Sequence, residues 1–175
     1  MDPVWGGTFS RNMNKVPIFT LRAARLSDAE GIFALIKSHS DQLIPQPMGD
    51  IAANIDRFVV AESNGVIVGC ATYSILPEIG SAERATAEVQ SVAVSSPFRG
   101  QGVGRALVES VLERIGAFNP SEALVLTFAP GFFSKLGFSE IPKSKVMHKL
   151  YSGCMHCTKH ADPFTCPEMA MAKKI

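Results

Sequence analysis

The feature that most constrains this chain is a strand-like segment, Ala87-Glu88-Val89-Gln90-Ser91-Val92-Ala93-Val94, that runs through Pro97-Phe98 into Arg99-Gly100-Gln101-Gly102-Val103-Gly104. Downstream, Val103, Leu107, Val111 and Ile115 recur every four residues, and this spacing predicts a long amphipathic helix over 101–116. Glycines without Cβ let a ligand approach the backbone closely. The unpaired amides of a helix start then face that ligand with the positive end of the helix dipole. Strand, glycine loop and helix in this order form a seat for a pyrophosphate, to which Arg99 and Arg105 add charge-assisted donors. The competing reading is a tight strand-to-helix turn that binds nothing. A P-loop is excluded because no Gly-Lys-Ser or Gly-Lys-Thr follows, and a Rossmann site because no repeated parallel strand-helix units follow.

The rest of the chain reads as one mixed α/β unit with an antiparallel core. Strands are expected at 18–22, 58–61, 66–73 and 124–128, with Ser63-Asn64-Gly65 turning the hairpin between the second and third. Ser27-Asp28-Ala29-Glu30 has capping-box spacing for a first helix whose apolar stripe is Ile32, Phe33, Leu35 and Ile36. A second short helix is expected over 48–55, and another over 130–136 that Gly137 stops. Residues 1–16 read as a loose arm, 17–151 as the folded domain and 152–175 as a Cys/His-containing tail packed on it. The formal net charge of +1 provides no field that would hold nucleic acid or an anionic membrane, so any anion must be captured locally. The start lacks the pattern of a secretion signal, and the longest apolar run, Val66 to Leu76, is too short to span a bilayer. A cytoplasmic protein with reduced thiols is expected.

The central motif resembles that of the GNAT acetyltransferases: Arg or Gln, two residues, Gly, one residue, then Gly or Ala, here Arg99, Gly102 and Gly104. Ser91-Val92-Ala93-Val94 matches the family's strand, and Phe132-Phe133-Ser134-Lys135-Leu136-Gly137-Phe138 matches its second signature, beside the cofactor. The resemblance covers about Ile18 to Leu150 and implies a GNAT fold: a central, mostly antiparallel twisted sheet of six to seven strands flanked by about four helices. It implies an enzyme that uses acetyl-CoA as co-substrate and a small-molecule amine as acceptor. The strand backbone at Val92, Ala93 and Val94 would bind the pantetheine arm as an added strand does and supply the oxyanion donor. Arg99, Gly100, Gln101, Gly102, Val103, Gly104 and Arg105 would hold the pyrophosphate, with Phe133 packing beside the cofactor. Glu88, among Ala87, Val89 and Val92, stands where several family members place the carboxylate that deprotonates the acceptor, and isolation there would raise its pKa. The bland reading is a strand residue facing solvent or paired with a base. Many family members use a tyrosine as the thiolate's acid where this chain has Phe133; its two tyrosines, Tyr73 and Tyr151, are elsewhere.

Leu43-Ile44-Pro45, the 87–94 strand and the tail up to Cys154-Met155-His156-Cys157 narrow the resemblance to short, single-domain amino-acid N-acetyltransferases of the N-acetylglutamate synthase type, in arginine biosynthesis. Enzymes of this family are often dimers, so a homodimer is expected. Where relatives usually carry arginine, this chain has Gln46 and Gln90, and an amide is a weaker partner for a carboxylate than a guanidinium fork. The acceptor is left open between glutamate, another amino acid and another amine of a protein, polyamine or drug. Arg22, Arg25, Lys143 and Lys145 are the remaining candidates for a substrate carboxylate. A non-catalytic acyl-CoA-binding module is the alternative outside enzymology. Cys154, Cys157 and Cys166 with His156 or His160 have part of a zinc-knuckle spacing, against which stands a reduced, metal-free tail.

Overall fold

The computed structural model describes residues 18–78, 81–154, 157, 160 and 162–175. The arm at 1–16 and His156 lie outside the described residues. Among those described, seven strands form one sheet in the order β1-β2-β3-β4-β5-β7-β6: β1 (Thr20–Ala23), β2 (Val59–Ser63), β3 (Val66–Glu78), β4 (Ser81–Val94), β5 (Ala123–Thr127), β6 (Ser139–Glu140) and β7 (Met169–Lys173). All neighbours are antiparallel except β4 and β5. This is the mixed, mostly antiparallel architecture that the sequence predicts. The β2–β3 turn uses Asn64 and Gly65, both at positive φ, which suits the right-handed strand twist of a hairpin.

Among the described residues five α-helices flank the sheet: α1 (Ala29–Lys37), α2 (Met48–Ala53), α3 (Val103–Gly116), α4 (Pro130–Ser134) and α5 (Met147–Ser152). The four-residue spacing of α3 becomes a buried stripe, with Val103, Leu107, Val111 and Ile115 packed against Val59, Ala61 and Ala71 of the sheet. Alternation along β2 sends Val60 to the other face, where Ile32 and Ile36 of α1 and Ile51 of α2 cover it. Leu150 of α5 lies on Leu124, Ala170 and Ala172, the side of β5 and β7 opposite to Val125 and Met171.

The structure departs from the sequence reading in several places: β3 and β4 extend beyond the expected strands, to Glu78 and from Ser81, α5 and β6 have no counterpart in it, and two further differences have a local cause. The start of α1 is capped through a 3-10 turn at Leu26–Asp28, in which the Asp28 carboxylate, rather than Ser27 and Glu30, accepts the Arg25 amide at 2.7 Å. The end of the tail is β7, inserted between β5 and β6. Met-Ala-Met-Ala-Lys contains no β-branched or aromatic residue, so strand propensity could not reveal it.

Asp28 is buried and takes both guanidinium Nη atoms of Arg22, at 2.6 and 3.0 Å, which tie β1 to the start of α1. The Arg22 hydrogen bonds hold the Asp28 carboxyl below the usual carboxylate range. A depressed folded pKa adds stability that is present above the unfolded value, about 3.9, and lost as pH falls through the folded one. Asp28→Asn should therefore lower stability by about 2 kcal/mol at neutral pH, an effect that shrinks below about pH 4 and is read from chemical denaturation at both pH values.

Candidate active site

Strands β4 and β5 pair in parallel at Ala87 with Ala123 and at Glu88 with Leu124. Beyond that point the pairing stops, and the two strands diverge to open a cleft of about 730 Å³ between Val89–Val94 on one wall and Val125–Thr127 on the other. Within β4, the register with β3 passes from Cys70–Ala93 to Thr72–Gln90, so two steps on β3 match three on β4. This bulge contains Ser91 at φ 50°, and it reverses the alternation of the strand. Ala87 and Val89 face α3 before the bulge, whereas Val92 and Val94 pack on that side after it and Ala93 turns to α1.

The glycine loop closes one end of the cleft. Gly100 and Gly102 stand at φ 75° and 86°, Gly102 immediately before α3, and a Cβ added at either would meet no atom within 4 Å. Both line the cleft, so what these glycines keep clear is room for a ligand at the helix start. Gly104 lies deeper, where a Cβ would come within 3.4 Å of the Phe132 ring and 3.6 Å of Val94. Arg99 and Arg105 also line this end; Arg105 meanwhile pairs with Glu109 at 3.1 Å and donates to the Lys135 carbonyl. The residues present thus fit the pyrophosphate of a CoA thioester.

Of the sequence-derived cofactor residues, Val92, Val94, Arg99, Gly100, Gly102, Gly104, Arg105 and Phe133 line the cleft. The side chains of Ala93 and Val103 are in the cores, and the Gln101 amide donates to the Pro97 carbonyl at 2.7 Å; their contribution is restricted to the backbone. Phe133 is buried, edge-on to Phe132 and Phe138 at centroid distances of 5.0 and 5.4 Å. Tyr73 is in the core against Phe118 and Tyr151 is exposed; neither lines the cleft.

Glu88 sits at the point of divergence, 4 % exposed, and is not the isolated carboxylate that its apolar neighbours suggest. Lys149 of α5 pairs with its Oε2 at 2.7 Å, and the Gln90 amide donates to the same oxygen at 2.5 Å while accepting from Ser74 Oγ at 3.0 Å. Residues 88 and 90 share a face two apart on β4, and that face is the one α5 covers. Gln46, from the segment before α2, donates to Ser91 Oγ at 2.8 Å and lines the same cleft.

The basic residues proposed for a substrate carboxylate are elsewhere. Arg22 is engaged by Asp28 and Glu62, Arg25 and Lys145 are exposed outside the cleft, and Lys143 donates to the carbonyls of Pro163 and Cys166. Among the described residues, the cation at this end of the cleft is Lys149, which sequence reasoning missed because a helical lysine looks like any solvated surface residue. His39 was missed as well: its ring nitrogens lie 2.8 Å from the Leu35 carbonyl and 3.0 Å from the Val94 carbonyl, tying α1 to the end of β4.

Glu168 and Cys154 complete the wall near Lys149. Burial pushes both groups up; Lys149 counters it for Cys154, and the Cys166 thiol, donating from 3.8 Å, for Glu168. Cys154, Cys157, His160 and Cys166 border a separate cavity of about 20 Å³, but among the described residues no three His, Cys, Asp or Glu side chains are grouped to hold a metal.

Residues 27–138 match the model of the acetyltransferase (GNAT) family. The chain belongs to this family. It is accordingly an acetyl-CoA-dependent N-acetyltransferase. It is 31 % identical over 160 residues to an uncharacterised N-acetyltransferase of Chlorobaculum tepidum, covering 89 % of this chain and 96 % of the relative. It is 29 % identical to the amino-acid acetyltransferase of Mycobacterium tuberculosis over 75 % of this chain and 74 % of that one. Among solved structures, Rv2747 from Mycobacterium tuberculosis in complex with CoA and NLQ superposes with a TM-score of 0.75 at 24 % identity, over 89 % of this chain and 99 % of that one. N-acetylglutamate synthase from Neisseria gonorrhoeae, complexed with coenzyme A and N-acetyl-glutamate, gives 0.73 at 19 % identity, covering 91 % of this chain and 36 % of that one. No helix among the described residues is long and apolar enough to cross a membrane.

A side chain at position 102 would both strain the positive φ and enter the space above the helix start. Gly102→Val should raise the KM for acetyl-CoA at least about tenfold, or 1.4 kcal/mol, with little change in the KM of the acceptor. Unaltered CoA affinity by calorimetry in that variant would place the pyrophosphate elsewhere.

Proposed function

We propose that the protein transfers acetyl from acetyl-CoA to the α-amine of a small amino acid. The observation that carries this reading is the Glu88–Lys149 pair at the apex of the cleft, a carboxylate and an ammonium 2.7 Å apart and both nearly buried. A zwitterionic amino acid presents the complementary pair, its ammonium toward Glu88 and its α-carboxylate toward Lys149. The amino-acid acetyltransferases among the relatives support the same acceptor class.

An α-ammonium is not nucleophilic until it loses a proton. Glu88, oriented by Lys149 and the Gln90 amide, accepts that proton directly or through one water. The free amine attacks the thioester carbonyl, whose developing oxyanion is met by backbone amides of the bulged 92–94 segment. Collapse of the tetrahedral intermediate expels the CoA thiolate. No tyrosine lines the described cleft to protonate it, and with a thiol pKa near 8.5 the thiolate is a competent leaving group on its own. The ammonium gives up two protons in all: the first to Glu88, and the second, from the nitrogen of the tetrahedral intermediate, to solvent or to the departing thiolate.

Thiol release from acetyl-CoA across the common amino acids, with amines lacking a carboxyl group as controls, tests this reading. Release with amino acids is expected, and Glu88→Gln should lower kcat by about 10²- to 10⁴-fold while acetyl-CoA still binds. Lys149→Met should raise the KM of the acceptor far more than that of acetyl-CoA. Release only with carboxyl-free amines overturns the amino-acid acceptor, and cofactor binding with no release from any amine points instead to a non-catalytic CoA-binding module.

A further inference from the structure

The acceptor end of the cleft has a charge composition suited to one carboxylate and not to two. Its described ionisable side chains are Glu88, Glu168, Cys154 and Lys149; His39 lies at the Val94 end with both ring nitrogens against carbonyls, and Arg99 and Arg105 are grouped at the glycine loop beside α3. Lys149 already neutralises Glu88. In either protonation state Glu168 adds no positive charge. The remaining described polar side chains are three amides and the hydroxyls of Ser91 and Thr127, and two of the amides are committed: Gln46 to Ser91, and Gln90 to both Glu88 and Ser74. Gln42, exposed at the rim, is the third.

From this arrangement we infer that the acceptor is an α-amino acid whose side chain carries no negative charge, so that glutamate and aspartate are disfavoured relative to their amides. The inference rests on the amino-acid reading above. An α-carboxylate answers Lys149. A second carboxylate would reach neutral amides or approach Glu168, exchanging its hydration for partners that cannot return the electrostatic cost. An amide side chain of the same shape pays no such cost, and it can both donate to and accept from the Gln42 amide and the Ser91 hydroxyl. Glutamate and glutamine are nearly isosteric, and their ratio therefore isolates charge from size.

The test is kcat/KM of the full chain for glutamine, glutamate, asparagine and aspartate at saturating acetyl-CoA and pH 7.5. Each amide should exceed its acid at least about tenfold, the ratio expected when a site lacks a partner for a buried charge. Glu168→Gln and Gln46→Arg should each draw the glutamine-to-glutamate ratio several-fold toward the acid, and a circular-dichroism melt shows that both variants are folded. Equal or greater activity with glutamate in the unmodified protein overturns the inference while leaving the amino-acid reading intact. A ratio unmoved in both variants also overturns it, because charge in the cleft would not be its cause. Failure of every amino acid, with carboxyl-free amines accepted, removes the reading on which it stands.

Discussion

The active site exists because two parallel strands part company. β4 and β5 share two residue pairs, and after Glu88 each carries its unpaired backbone along one wall of a cleft. Unpaired backbone in a protein interior must find partners, and a ligand with its own amides, such as a pantetheine arm, can provide them. Everything else in the fold serves to hold that opening. α3 packs its fully buried stripe beneath β2 to β4, α5 covers the β5–β7 half from the opposite face, and β7 stitches β5 to β6 so that the far wall does not collapse inward.

The bulge at Ser91 is the second device, and its effect is one of parity. A regular strand through 87–94 would place Val92 and Val94 opposite to Ala87 and Val89; the extra residue returns them to the same side. Glu88 and Gln90 lie before the bulge and face α5, so the buried carboxyl group and the Val92–Val94 segment that lines the cleft come from one strand yet address different faces. His39 reinforces the end of this strand by spanning the carbonyls of Leu35 and Val94. Catalytic geometry here depends on backbone register as much as on side-chain identity.

Electrostatics divide the cleft into two ends. The glycine loop offers amides, a helix start and two arginines to a polyanion, whereas the acceptor end is organised around a single compensated carboxylate. The pairing matters because a carboxyl group 4 % exposed has lost its hydration, and the Lys149 ammonium and the Gln90 amide take the place of water around it.

Sequence by itself determined the family and most of the element order, and it singled out the glycine loop that lines the cleft. The reason is that these depend on local rules: glycines are needed where φ is positive, apolar residues recur every four positions along α3, and Asn64-Gly65 turns a hairpin. Glu88 was legible too, as a charge embedded in an apolar strand. What only the tertiary structure decided was its environment. Lys149 stands 61 positions later on a six-residue helix, and nothing in Met147–Ser152 announces that its lysine, and not Lys143 or Lys145 a few residues away, reaches Glu88. The same holds for β7, whose Met-Ala alternation becomes a strand through the pairing that β5 and β6 offer it. Local chemistry is written in consecutive residues; the acceptor site is made of contacts between distant ones, and chain topology alone brings those together.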